Sequence, residues 1–254
     1  MRVVGVLANL LYPPACLVCH GRMPTAGLQR RAGSPQTTPP ICAECLGAMA
    51  RNGPPACSRC GLALPGAFDA TLECAACRAV SPAFALARSP WQYAGPLREA
   101  VREFKYHRRW RIGRWLADEM AALAQSAFPL DEIAAVLPVP LHWLKERLRG
   151  ANAVGQLARP IATALGKPYL PSALRRTRWT RAQTDLSWRE RRQNVQRAFV
   201  ARPRGIQGKA VVLVDDVLTS GATANACALA LREAGARRVF VLAAARTPLN
   251  IHAG

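Results

Sequence analysis

Between Pro96 and His107, Leu97, Val101 and Phe104 recur at three- and four-residue intervals. That spacing places them on one face of an α-helix, so the stretch predicts an amphipathic helix. Ile112 to Leu123 predicts a second, and Asn152 to Leu165 a third, stopped by Gly166 and Pro168. Ala222 to Ala234 predicts a fourth, with Gly235 as its C-cap. Between the helices lie short apolar runs: Ala134 to Val139, ending at Pro138 and Pro140, then Ala210 to Val214, then Val239 to Ala244. Short continuous apolar runs suit strands buried on both faces. Strands alternating with helices predict an α/β fold, with a parallel sheet flanked by helices.

Before about residue 85 the pattern is different. Eight of the nine cysteines lie before residue 78, all in C-x-x-C pairs: Cys16/Cys19, Cys42/Cys45, Cys57/Cys60 and Cys74/Cys77. Two sulfurs at this spacing can reach one tetrahedral ion, so four pairs supply two four-cysteine sites. Disulfides are the competing reading and need an oxidising compartment; iron–sulfur clusters are another. Zinc in a structural role is the expectation, because four sulfurs leave no open position for chemistry. Sequential ribbons would join the first pair with the second and the third with the fourth, whereas a cross-braced module would join the first with the third. Gly21 and Gly61 follow two of the knuckles and are expected to relieve their tight turns. Gly21 to Pro40, rich in Pro, Gly, Thr and Arg, is expected to be a mobile loop. The chain therefore divides into a metal-dependent module over 1–85 and an α/β domain over 86–254. A chelator is expected to unfold residues 1 to about 80.

The net charge is +20, a field that attracts nucleic acid, phosphate esters or anionic lipid. Two zinc ions on eight thiolates would lower it by about four. No stretch reaches the ~18 consecutive apolar residues of a membrane span. Met1 to Leu11 lacks a basic cluster and a cleavage site, and Pro13 and Pro14 follow it, so the expected location is cytoplasmic.

The candidate chemistry lies at one junction. Val211 to Val214 are followed by Asp215 and Asp216, then by Val217, Leu218, Thr219, Ser220, Gly221, Ala222 and Thr223, where a helix begins. Ligands of parallel sheets bind beyond the carboxyl ends of the strands. There Asp215 and Asp216 can accept hydrogen bonds from vicinal ribose hydroxyls. The loop's N–H groups, its hydroxyls and the helix dipole can cradle a phosphate dianion. The pair matches a ribose 5-phosphate. A P-loop is excluded, because the glycine–lysine pattern is missing. Arg175 to Arg192 holds seven arginines with Trp179 and Trp188 among them. That mixture suits single-stranded nucleic acid, with an active-site lid or a charged helix as alternatives. Cys227 falls inside the last helix and is expected to be core.

Val211 to Thr223 resembles the phosphoribosyl pyrophosphate signature of type I phosphoribosyltransferases. With the cysteine knuckles, the chain resembles the ComF family of competence-related proteins. Phe104-Lys105-Tyr106, Val139-Pro140-Leu141 followed by Arg147 and Arg149-Gly150, and the stretch from Arg178 through Gln183, Arg191, Asn194 and Val195 to Phe199 match it as well. One loop departs: Arg149-Gly-Ala-Asn-Ala153 stands where the family shows Arg-Gly-Phe-Asn-Gln. The resemblance implies a type I phosphoribosyltransferase-like domain behind a double zinc ribbon. It implies phosphoribosyl pyrophosphate or a related ribose phosphate as ligand, with Mg2+. Asp215 and Asp216 would be catalytic by orienting the ribose, while Lys145, Arg147 and Arg149 would stabilise the pyrophosphate, with a solvated helix face as the alternative for these three cations. The implied role is DNA uptake in natural competence, with single-stranded DNA and a helicase-like ATPase at the inner membrane as partners. The alternative is a turning-over Mg-dependent phosphoribosyltransferase in base or nucleotide salvage.

Overall fold

A computed structural model describes residues 14–23, 39–66, 71–140, 152–177 and 198–249. In chain order its elements are α1 (Ala43–Gly47), α2 (Ala75–Ala79), β1 (Leu86–Arg88), β2 (Trp91–Gln92), α3 (Gly95–His107), α4 (Trp110–Ala127) and β3 (Ile133–Pro138). Then come α5 (Ala153–Ala164), β4 (Leu174–Arg176), β5 (Phe199–Ala201), β6 (Ala210–Leu218), α6 (Ala222–Glu233) and β7 (Arg238–Arg246). The four expected helices and three expected strands are all present. Asn152 caps α5, its side chain accepting from Val154 N and Gly155 N.

The main sheet runs β1-β7-β6-β3, with β2 extending the edge beside β7, and its pairings are parallel. Successive residues of a strand face opposite sides, so one strand feeds two cores. Val212, Val214, Phe240 and Leu242 join α3, α4 and α5 on one face. Val211, Leu213, Val239 and Val241 join α6 and the antiparallel β4–β5 pair on the other. This is a parallel sheet flanked by helices, as expected, with a cysteine-rich module preceding it in the chain.

Three features differ from expectation. Strand β6 continues past Val214 to Leu218, because β7 runs beside it as far as Arg246. The acidic pair therefore lies within the strand rather than just beyond its carboxyl end. Helix α6 caps at Ala234, and Gly235 follows with φ +93°. The β4–β5 pair was not foreseen; it closes at Thr177 N to Ala198 O, 2.9 Å. Much of the arginine-rich stretch, with Trp179, Gln183, Trp188 and Asn194, lies outside the described residues, as do Leu141, Lys145, Arg147, Arg149 and most of the expected Gly21–Pro40 loop.

Candidate metal centres and anion-binding loop

The cysteines gather into two groups, Cys16/Cys19/Cys42/Cys45 and Cys57/Cys60/Cys74/Cys77, each with its sulfurs within 4.8 Å of one another. The pairing is sequential, first knuckle with second and third with fourth. The two groups repeat one local design. Cys16 N donates to Gly21 O at 2.9 Å, and Cys57 N to Leu62 O at 2.8 Å. Cys42 and Cys74 take the same extended backbone, with ψ 159° and 160°, to start α1 and α2. Their N–H groups each point at the first sulfur of the site, Cys42 N to Cys16 Sγ and Cys74 N to Cys57 Sγ, both 3.3 Å. Burial pushes the Cys16 and Cys57 thiols up, but backbone N–H donors outweigh it and bring both to about 7. Sulfurs of Cys19 and Cys42, and of Cys60 and Cys74, lie 3.7 Å apart. The edge of a tetrahedron with Zn–S bonds of ~2.3 Å is about 3.8 Å, so each group fits one tetrahedral zinc.

The left-handed residue just past each ribbon knuckle occupies the same place in both. In the second site it is Gly61, φ +65°. In the first it is His20, φ +60°, rather than the expected Gly21. Gly61 has a further constraint: a Cβ there would stand 2.7 Å from the Ala87 carbonyl oxygen. The sites differ in exposure, since Cys19 is exposed whereas all four sulfur ligands of the second site are buried. Cys16 and Cys45 pack into the core of α3, α4 and α5, and the second group packs into the core of α6.

At the end of β6, Asp216 faces α3, where Lys105 Nζ lies 2.8 Å from its Oδ1. Burial acts to lower the Lys105 pKa, but the Asp216 charge and hydrogen bond outweigh it and hold it above the ordinary lysine value. Asp215 Oδ1 accepts from Asp216 N at 2.9 Å. Burial first, then the Asp216 charge, pushes the Asp215 carboxyl up to about 7, against the Asp216 N–H and Lys105. The sequence pattern did not single out Lys105 for this site. Its signal was the Phe104-Lys105-Tyr106 match, a local motif that says nothing of what it faces.

Thr219, Ser220 and Gly221 form the turn into α6. Gly221 is the N-cap residue at φ +78°, a left-handed conformation that favours glycine. Ala222 N donates to Ser220 Oγ at 3.3 Å. This places N–H groups, hydroxyls and the positive end of a twelve-residue helix together. Behind the loop sits Arg246, which is buried; Nη1 donates to the carbonyls of Leu218, at 2.8 Å, and Thr219. A cavity of about 910 Å³ meets the same loop between α6 and the second cysteine group; Phe84, Phe199 and Leu229 line its apolar wall, and Asp215, Asp216 and Lys105 do not line it. Cys227 is buried in the core, as expected.

No protein-family model matches the chain. It is 29% identical to competence protein F of Haemophilus influenzae over 197 residues, 76% of this chain and 85% of that protein. It is 33% identical to DNA utilization protein YhgH of Salmonella typhimurium over 211 residues, 82% of this chain and 90% of that protein. A solved structure of glutamine phosphoribosylpyrophosphate amidotransferase from B. subtilis aligns at 27% identity and TM-score 0.38, covering 56% of this chain and 30% of that one. No helix among the described residues is long and apolar enough to cross a membrane. With a third of positions identical to a YhgH protein along nine tenths of that protein's length, the chain belongs to the ComF family of competence protein F and DNA utilization protein YhgH.

Proposed function

We propose that this chain binds a phosphorylated ribose, phosphoribosyl pyrophosphate with Mg2+ being the reference ligand, where β6 meets α6, and that it serves the uptake or use of DNA, as the names of its relatives say of them. One observation carries the ribose-phosphate reading. A buried strand delivers Asp215 and Asp216, with Lys105 against Asp216, immediately before a hydroxyl-rich turn whose N–H groups open α6. In this reading Thr219, Ser220, Gly221, Ala222 and Thr223 hold the phosphate and the diacid orients the ribose hydroxyls. Lys145, Arg147 and Arg149 neutralise the pyrophosphate, and Mg2+ bound with it would supply further charge neutralisation. Zinc at both cysteine sites is structural.

The test is calorimetric titration of the zinc-loaded protein with phosphoribosyl pyrophosphate and Mg2+, alongside Asp215→Ala/Asp216→Ala. Saturable binding that the double variant loses supports the site. No binding to a folded wild type overturns it. Release of pyrophosphate in the presence of a purine or pyrimidine base would establish the alternative, a phosphoribosyltransferase of base salvage.

A specific surface favours single-stranded DNA as a second ligand. At the corner between α3 and α4, Tyr106 is 60% and Trp110 40% exposed, among Arg108, Arg109, Arg111 and Arg114. Aromatic faces stack on bases and arginines meet phosphates. Single-strand affinity falling steeply with salt, and weakened by Trp110→Ala, supports this reading; affinity indifferent to both rejects it. A helicase-like ATPase partner, which would hold the protein at the inner membrane, belongs to the same proposal.

A further inference from the structure

Arg246 is the only charged residue among the described ones that is buried, at 6% exposure. Its head group joins two places that the chain keeps far apart. Nη1 donates to the carbonyls of Leu218, at 2.8 Å, and Thr219, the two residues that enter the anion-binding turn. Nη2 lies 3.8 Å from Cys60 Sγ, a ligand atom of the second cysteine site. The backbone reinforces the link, because Thr247 N also donates to Leu218 O, at 3.0 Å.

Two physical consequences follow. A guanidinium stays protonated when buried and needs a counter-charge. Among the described residues no carboxylate pairs with Arg246. A divalent ion on four thiolates carries a net charge of about −2 and supplies one. Second, a trans peptide is planar, with its N–H opposed to its C=O. Holding the Leu218 and Thr219 carbonyls on Arg246 therefore aims the N–H groups of Thr219 and Ser220 away from it. The guanidinium also polarises those peptides, which strengthens their N–H donors.

We propose that Arg246 is a positioning residue for the anion-binding turn and that the second metal site is its anchor, so that metal held by Cys57, Cys60, Cys74 and Cys77 sets the order of the turn. Its effect on phosphate affinity rests on the ribose-phosphate reading above; the effect on the turn does not. Among the described residues the first metal site has no such link, and Cys16 and Cys45 pack against the opposite face of the sheet. Metal content at one site and anion binding at the turn are then reciprocally coupled.

The experiment uses the full zinc-loaded chain as wild type, Arg246→Met and Arg246→Lys. Zinc content, amide hydrogen exchange at residues 219–223, and affinity for ribose 5-phosphate are measured on each. Methionine fills the space without burying a charge, so Arg246→Met should fold and keep both zinc ions. Its turn amides should exchange about tenfold faster and its ribose 5-phosphate affinity should fall about tenfold, within the usual range of coupling between sites. Lysine keeps the charge but cannot reach both carbonyls and the sulfur, so it should rescue only part. Stripping zinc should speed exchange at the turn in wild type and change it little in Arg246→Met. Turn exchange equal to wild type in zinc-loaded Arg246→Met overturns the proposal, as does equal sensitivity to zinc removal in both proteins. Should the exchange behave as expected while wild type ignores ribose 5-phosphate, the coupling stands and the ribose-phosphate reading fails.

Discussion

Lys105 Nζ lies 2.8 Å from Asp216 Oδ1, which ties the end of α3 to the acidic pair of β6. The two groups are largely shielded, with side-chain exposures of 20% and 15%. Removing one partner leaves the other partly buried and uncompensated. Lys105→Met is expected to destabilise the fold by about 1–3 kcal/mol. Adding Asp216→Asn should recover part of that loss. Denaturant unfolding of the two single variants and the double variant gives the coupling; additive losses would mean the contact contributes nothing.

Asp215 gives the stability a pH dependence of definite sign. Its carboxyl is pushed from an ordinary 3.8 up to about 7. Between those values the unfolded chain has lost the proton and the native protein has kept it. The contribution is therefore fully present below about pH 4 and is lost as pH rises through about 7. One pKa unit corresponds to about 1.4 kcal/mol, and solvent reaching the open end of the strand reduces the full effect to on the order of 2 kcal/mol. Asp215→Asn cannot titrate, so its stability relative to wild type should be higher at pH 8 than at pH 4. Equal differences at the two pH values, measured by urea unfolding, would refute the shift.

Gly61→Ala meets two obstacles at once, a left-handed backbone and the Ala87 carbonyl 2.7 Å from the new Cβ. The conformation alone costs about 1–2 kcal/mol. The variant should melt at lower temperature and release metal from the second site faster. Zinc release to a colorimetric chelator at the wild-type rate would show that the turn tolerates a side chain.

Metal removal should proceed in two steps. The first site presents an exposed Cys19, whereas the second is buried throughout. A chelator should take one zinc per chain quickly and the second slowly. Because Cys16, Ile41, Cys45 and Met49 share a core with α3 and α4, losing the first ion should also raise hydrogen exchange in those helices, beyond the knuckles themselves. Confinement of the change to residues before about 80 would contradict this.

The sequence by itself determined what is local. C-x-x-C spacing sets two sulfurs within reach of one ion wherever it occurs. The 3.6-residue period marked α3 to α6, and the unbroken apolar runs marked β3, β6 and β7. The order of strand, acidic pair, hydroxyls and glycine from Val211 to Thr223 marked the candidate site, because that chemistry is carried on consecutive residues. The tertiary structure decided whatever joins distant residues. Both knuckle pairings were compatible with the spacing, and only packing selected the sequential one. β6 runs to Leu218 because β7 lies alongside, a partner that the β6 residues do not encode. Lys105 meets Asp216, and Arg246 meets Cys60 across 186 positions of chain, because the sheet order brings their elements together. Periodicity reports which face of an element is buried; it does not report what that face is buried against.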